Sequence, residues 1–208
     1  RISVPSCIQQ MFFSAGFLAT FWIIGKVGTA EVAGANVLMN VMLIAFLPGM
    51  GMGLAAATLV GQALGRRDSE DAARWAWDVV KVAMIAMGLA GLPMVLAPEL
   101  VLSTIYTLEP ETLALTLWPL RLVGLSMVIE AVGVVLQHSL LGAGDTRRVM
   151  VVAIAGQWFC FLPLAFLVGP VWGHGLTAIW LLQVTYRAAQ AGIIAMFWKR
   201  RQGAEIDF

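Results

Sequence analysis

Residues 113–141 read LALTLWPLRLVGLSMVIEAVGVVLQHSLL, a long apolar run with Glu130 near its middle. About 20 residues of helix cross the core of a bilayer, so Glu130 is expected close to the midplane. A carboxylate at that depth costs roughly 2.5–3.5 kcal/mol on insertion scales. Arg121 stands nine positions earlier. That separation puts the two on opposite faces of a helix, about 13 Å apart along its axis. They do not neutralise each other within one helix. Glu130 therefore needs another partner, a proton or a water-filled cavity.

The composition agrees with a membrane reading. Hydrophobic residues make up 60% of the chain and charged ones only 12%, and the mean hydropathy is +0.86. A soluble domain is nearer half apolar and a quarter charged. Gly (21) and Trp (8) are frequent, which suits packed transmembrane helices and interfacial anchors. The net charge of +1 points to no partner. No basic patch interleaved with aromatics is present, so nucleic acid is not an expected partner. Cys7 and Cys160 both lie in apolar runs, and buried, inert thiols are expected rather than a disulfide.

Outward from the central run, six spans emerge at residues 4–27, 32–64, 70–96, 113–141, 149–168 and 176–198. Each is long enough to cross the bilayer core. The link at 97–112 has room for a short interfacial helix near Pro98. Asp68 and Ser69 before Glu70 and Asp71 form a helix-start pattern, and Asp145 with Thr146 repeats it. The chain begins at Arg1 and turns apolar within a few residues, as expected of a piece cut from a longer protein. Lys199-Arg200-Arg201 with a polar tail is expected at a natural terminus. Arg1, Arg66, Arg67, Arg74, Arg147, Arg148, Lys199, Arg200 and Arg201 fall on one side of the membrane, and Lys26 alone on the other. The positive side is cytoplasmic, and with an even number of spans both ends lie there. The expected location is a bacterial-type inner (plasma) membrane, with lipid as a partner.

The second span carries Pro48, Gly49, Gly51 and Gly53 in its middle. Proline removes a backbone bond, and glycines permit bends and close helix approach, so a kink or hinge is expected. The glycine spacing is no phosphate loop, because no strand precedes it.

Candidate chemistry is sparse. No zinc-protease, nucleophile-elbow or Walker pattern occurs, so no catalytic group set, metal site or cofactor is expected. His138 and His174 lack carboxylate or Cys neighbours at ligand spacing and read as packing or interfacial residues. Glu130 is the sharpest candidate. In an apolar surround a lone carboxyl favours its protonated form, which suits ion coupling; the alternative is a structural carboxylate bonded to a neighbouring helix. Met127, Val134 and Gln137 share its face, and Gln137 can extend a polar path. Gln9 and Gln10 in the first span either line a pathway or bond across helices. Gln183, Arg187 and Gln190 share one face of the last span. A midspan Arg must face protein or water, and Arg187 either ties helices together or binds a carboxylate such as Glu130. Asp78 and Lys81 are expected to pair with each other, and Arg121 to snorkel.

Four stretches carry a family resemblance. Residues 55–65, AAATLVGQALG, followed by a charged loop, look like the end of an even-numbered helix in the MATE (multidrug and toxin extrusion) transporters. Residues 140–147, LLGAGDTR, look like another loop of that family, and Val4-Pro5 with Gln9-Gln10 and residues 46–49, FLPG, also match. The resemblance spans the chain. It implies an all-α membrane protein whose six transmembrane helices form the C-terminal lobe of a twelve-helix transporter, with the N-terminal lobe absent. It implies export of amphipathic or cationic drugs and toxins by H⁺ or Na⁺ antiport, with the substrate passing between the lobes. Many members carry an acidic ion-coupling residue about fifteen positions before the loop Asp; Glu130 holds that place relative to Asp145. Members often have a Glu where this chain has Gln9, and that departure leans coupling toward H⁺ or toward the other lobe. A lipid-linked sugar flippase of the same superfamily and a non-transporting scaffold subunit are the competing readings. A concave, polar-lined face is expected of a transporter, and a Glu130 sealed by its neighbours of a scaffold.

Overall fold

A computed structural model describes residues 3–173 and 175–203, leaving aside the side chains of 3–6, 9 and 201–203. Six long helices and one short one follow in order: α1 Ser3–Gly25, α2 Thr29–Gly65, α3 Ser69–Leu96, α4 Pro98–Ile105, α5 Pro110–Gly142, α6 Thr146–Val171 and α7 Gly175–Gly203. A helix covers each of the six stretches expected as spans, and α4 is the short helix expected in the long link. Among the described residues, α2, α3, α5 and α6 are long and apolar enough to cross a membrane, and Gln10–Gly25 forms a shorter apolar helix. The chain is an all-α membrane protein.

Helix α5 is the mast of the lobe. In its most apolar stretch 61% of residues are buried, against 28%, 33% and 17% in α2, α3 and α6. It packs on α2, α3 and α7, whereas α1 leans chiefly on α6, and α6 on both α1 and α7. Where α5 crosses α3 the backbones nearly touch. A Cβ added to Gly91 would fall 2.5 Å from the carbonyl oxygen of Gly124, and one added to Gly124 would fall 2.7 Å from that of Gly91. Small residues permit this approach, and in lipid it is packing rather than hydrophobic exclusion that holds helices together.

The joints α2–α3 and α5–α6 use one backbone pattern. Asp68 N donates to Ala63 O at 3.0 Å and Asp145 N donates to Leu140 O at 2.9 Å. The preceding residues, Arg67 and Gly144, have φ of 61° and 81°. This left-handed residue closes the last carbonyls of the outgoing helix. The two helix starts then differ. Asp68 caps α3 by accepting from Asp71 N at 2.9 Å, as expected. Asp145 makes no cap bond, and its carboxylate instead takes Arg148 at 3.1 Å.

Three further findings depart from or extend the sequence expectations. Residues Gly156–Phe161 and Leu167–Val171 of α6 are wound as π-helix. Pro163 and Pro170 offer no N–H, and their rings press on the carbonyl four residues back; a wider turn relieves both. Cys7 and Cys160 are exposed rather than buried, because lipid solvates an apolar helix surface as well as a protein core does. α2 runs unbroken through Pro48. Gly49 and Gly53 there are packing positions: added Cβ atoms would lie 2.5 Å from Met87 Sδ and 2.7 Å from His138 Nδ1. Gly51 has open space beside it.

Candidate functional site

Glu130 is 4% exposed, and its partner comes from 57 residues along the chain. Arg187 Nε donates to Oε1 at 2.7 Å, and Nη2 donates to Oε2 at 2.5 Å. Two parallel bonds of this kind fix both groups. The third nitrogen, Nη1, donates to Gln190 Oε1 at 3.4 Å. The pair joins the most buried helix, α5, to the last one, α7. A carboxylate whose insertion is costly thus sits beside a fixed guanidinium rather than alone, and the same holds for Arg187. Of the two readings of Arg187, binding the Glu130 carboxylate is the arrangement found, and through it Arg187 also ties α7 to α5.

Arg187 is the member of the pair that reaches the surface. Its side chain is 20% exposed, and it lines a cleft of about 610 Å³. Glu130 is not among the lining residues and lies behind Arg187. α1 supplies Phe13, Phe17 and Phe21 to the cleft, α2 supplies Phe46, and α6 and α7 supply Phe161 and Tyr186. The last two stack with centroids 5.6 Å apart. The neutral polar part of the lining is Thr20 and six amides: Asn36, Asn40, Gln137, Gln157, Gln183 and Gln190. Among the described lining residues Arg187 is the one charged group and no carboxylate appears. Aromatic faces with a few placed amides suit flat amphipathic molecules, neutral or cationic.

The sequence candidates divide accordingly. Gln137, Gln183, Arg187 and Gln190 come together at the cleft, although Gln190 is mostly buried. Gln10 is exposed on α1 and does not line it. The side chain of Gln9 and the whole of His174 lie outside the described residues. His138 is a packing residue, with Nδ1 2.8 Å from Val134 O and its ring against Gly53. Asp78 and Lys81 pair with each other at 2.8 Å, and Arg121 lies over the Trp118 ring at 5.3 Å.

Sequence reasoning missed Asn36, Asn40 and Gln157. The two asparagines are one helical turn apart in an apolar run, and Asn40 Nδ2 donates to Asn36 Oδ1 at 2.9 Å; that spacing was a readable signal. Gln157 sits in the first π turn of α6, with its amide over Gly16, and nothing in the local sequence marks it. Gln183 Oε1 and Trp180 Nε1, both on α7, are buried without a hydrogen-bond partner.

Residues 5–167 match the MatE family model. The chain is 28% identical over 204 residues to the probable multidrug resistance protein NorM of Brucella suis biovar 1, covering 96% of this chain and 43% of that protein. Its identity to the probable NorM of Thermotoga maritima is 27% over 184 residues, covering 87% and 39%. The chain thus spans less than half the length of these curated relatives. Among solved structures it overlays a MOP superfamily transporter from Pyrococcus furiosus, described as having a binding pocket of reverse polarity, with a TM-score of 0.87 at 19% identity, covering all of this chain and 46% of that one. An outward-facing multidrug resistance MATE family transporter gives a TM-score of 0.83 at 20% identity, covering 97% and 45%. The fold is shared with both. By its match over most of its length and by its six-helix architecture, this chain belongs to the MatE family.

Proposed function

We propose that this chain is one lobe of a secondary multidrug exporter. The cleft between α1, α2, α6 and α7 forms half of the substrate passage, and a second lobe supplies the other half. The observation that carries the reading is the cleft itself: a concave, aromatic and amide-lined face in a membrane protein. Glu130 is sealed behind Arg187, as expected of a scaffold, but a scaffold subunit has no use for such a concave face. A flippase for lipid pyrophosphates calls for a cationic cavity, and Arg187 is neutralised by Glu130. The proposed substrates are amphipathic or cationic aromatic compounds. The protein acts as a transporter and not as an enzyme, in an inner (plasma) membrane with both ends of this segment cytoplasmic.

Two lobes rock about a midplane site in alternating access. Glu130 is the proposed ion-coupling residue, and H⁺ the favoured ion. Both of its oxygens are held by Arg187. A proton needs only one of them, whereas Na⁺ needs several oxygens at once. The test is ethidium transport by the full-length protein in inverted vesicles under imposed pH or Na⁺ gradients. The expected result is uptake driven by the pH gradient and abolished in Glu130→Gln. Absence of ethidium movement under either gradient sinks the reading.

A further inference from the structure

We propose, resting on the export reading above, that Arg187 is the group through which protonation of Glu130 reaches the substrate. Glu130 is 4% exposed and does not border the cleft, so it makes no direct contact with a bound molecule and acts on it only together with Arg187, which borders the cleft and is 20% exposed. With the pair closed the site is neutral overall. A proton added to one Oε oxygen of Glu130 cancels the carboxylate charge and removes one of the two acceptors that hold the guanidinium. The cleft wall then carries an uncompensated positive charge. Arg187 acts as a tethered cation: it is masked while Glu130 is ionised and unmasked by the proton. An aromatic cation in the cleft is repelled, and an aromatic anion is attracted. The sign is the one that proton-for-cation exchange requires.

Few other groups face the pair. α7 brings Tyr186 next to Arg187, and α6 brings Cys160 near that Tyr. On α5 itself His138 lies about two turns further along, with its Nδ1 at Val134 O. α2 presents the neutral Asn36 and Asn40 to the cleft, and the described lining residues of α1 carry no charge. The α3 charges Asp78 and Lys81 are exposed and paired with each other. No second acid among these residues competes for the role.

The test measures equilibrium binding of two probes of matched size to the full-length protein in nanodiscs: the cation N-methylquinolinium and the anion 2-naphthoate. In wild type the cation-to-anion affinity ratio should fall as the pH is lowered. Glu130→Gln, which imitates the protonated state, should show the low ratio at every pH. A unit charge several ångströms away in a partly screened site is worth about tenfold in affinity, so the ratio should move by about a hundredfold. The pair Glu130→Gln/Arg187→Gln removes both charges and should restore cation binding with no pH dependence. If Glu130→Gln does not fold, wild type and the neutral pair decide alone, since the pH dependence of the ratio must be present in one and absent from the other. Equal losses for both probes, or a neutral pair that keeps the pH dependence, overturn the proposal. A protein that shows the predicted signs but moves no probe in vesicles overturns the export reading and not the charge readout. Transport with no charge discrimination does the reverse.

Discussion

The crossing of α3 and α5 at Gly91 and Gly124 seats the helix that carries Glu130, and Gly124→Ala should unseat it measurably. The new Cβ would lie 2.7 Å from the Gly91 carbonyl oxygen, 2.8 Å from Val95 Cγ2 and 3.0 Å from Met94 Cβ. Two of these three atoms are fixed to backbone and cannot swing aside. The helices must part by roughly half an ångström to reach a tolerable contact, and such a gap forfeits about a quarter of each atom-pair well. Over several dozen pairs of about 0.1–0.2 kcal/mol, the loss is about 1–2 kcal/mol, consistent with overpacked cores at about 1–3 kcal/mol. Alanine also gains about 0.5–1 kcal/mol of helix propensity over glycine. Gly51→Ala supplies the reference for that gain, because nothing lies within 4 Å of a Cβ there.

The assay is SDS-induced unfolding of the full-length protein in mixed micelles, followed by tryptophan fluorescence. Gly51→Ala should be neutral or stabilising, and Gly124→Ala should be less stable than it by about 1–2 kcal/mol. Gly91→Ala/Gly124→Ala should cost less than the sum of the singles, since the first alanine has already parted the helices. Equal stability of Gly124→Ala and Gly51→Ala refutes the close crossing.

Two further outcomes are expected. In the same unfolding assay Glu130→Leu should cost about 3–5 kcal/mol by leaving Arg187 unpaired, while Glu130→Leu/Arg187→Met should recover most of the loss; a double variant as weak as the single one means that the pair is not the issue. With Cys7 and Cys160 replaced by serine, a thiol at Arg67→Cys should label only from the cytoplasmic face and one at Thr107→Cys only from the opposite face, and the reverse pattern refutes the orientation.

The helices were legible because their signal is local. A run such as residues 113–141 is apolar whatever it packs against, and the helix found, Pro110–Gly142, overshoots it by only a few residues at its start and one at its end. The cap at Asp68 was equally local. The π turns of α6 were not legible, since proline strain can be relieved by a bend, a break or a widened turn, and the surroundings choose among them. Nor was the burial of Cys7 and Cys160, because the apolar pattern of a membrane helix does not distinguish the lipid face from the protein face.

By itself the sequence determined that this chain enters a membrane, where its helices start and stop, which family its loops resemble, and that Glu130 and Arg187 each need a reason to be there. Hydropathy and capping are sums over neighbours in the chain, so they survive without a fold. Only the tertiary structure decided that the two residues answer each other across 57 positions, that the carboxylate is hidden and the guanidinium faces the cleft, and that Asn36 and Gln157 share its lining. These depend on the rotation of each helix about its own axis. That rotation is set by close contacts such as Gly91 on Gly124, which no local pattern encodes.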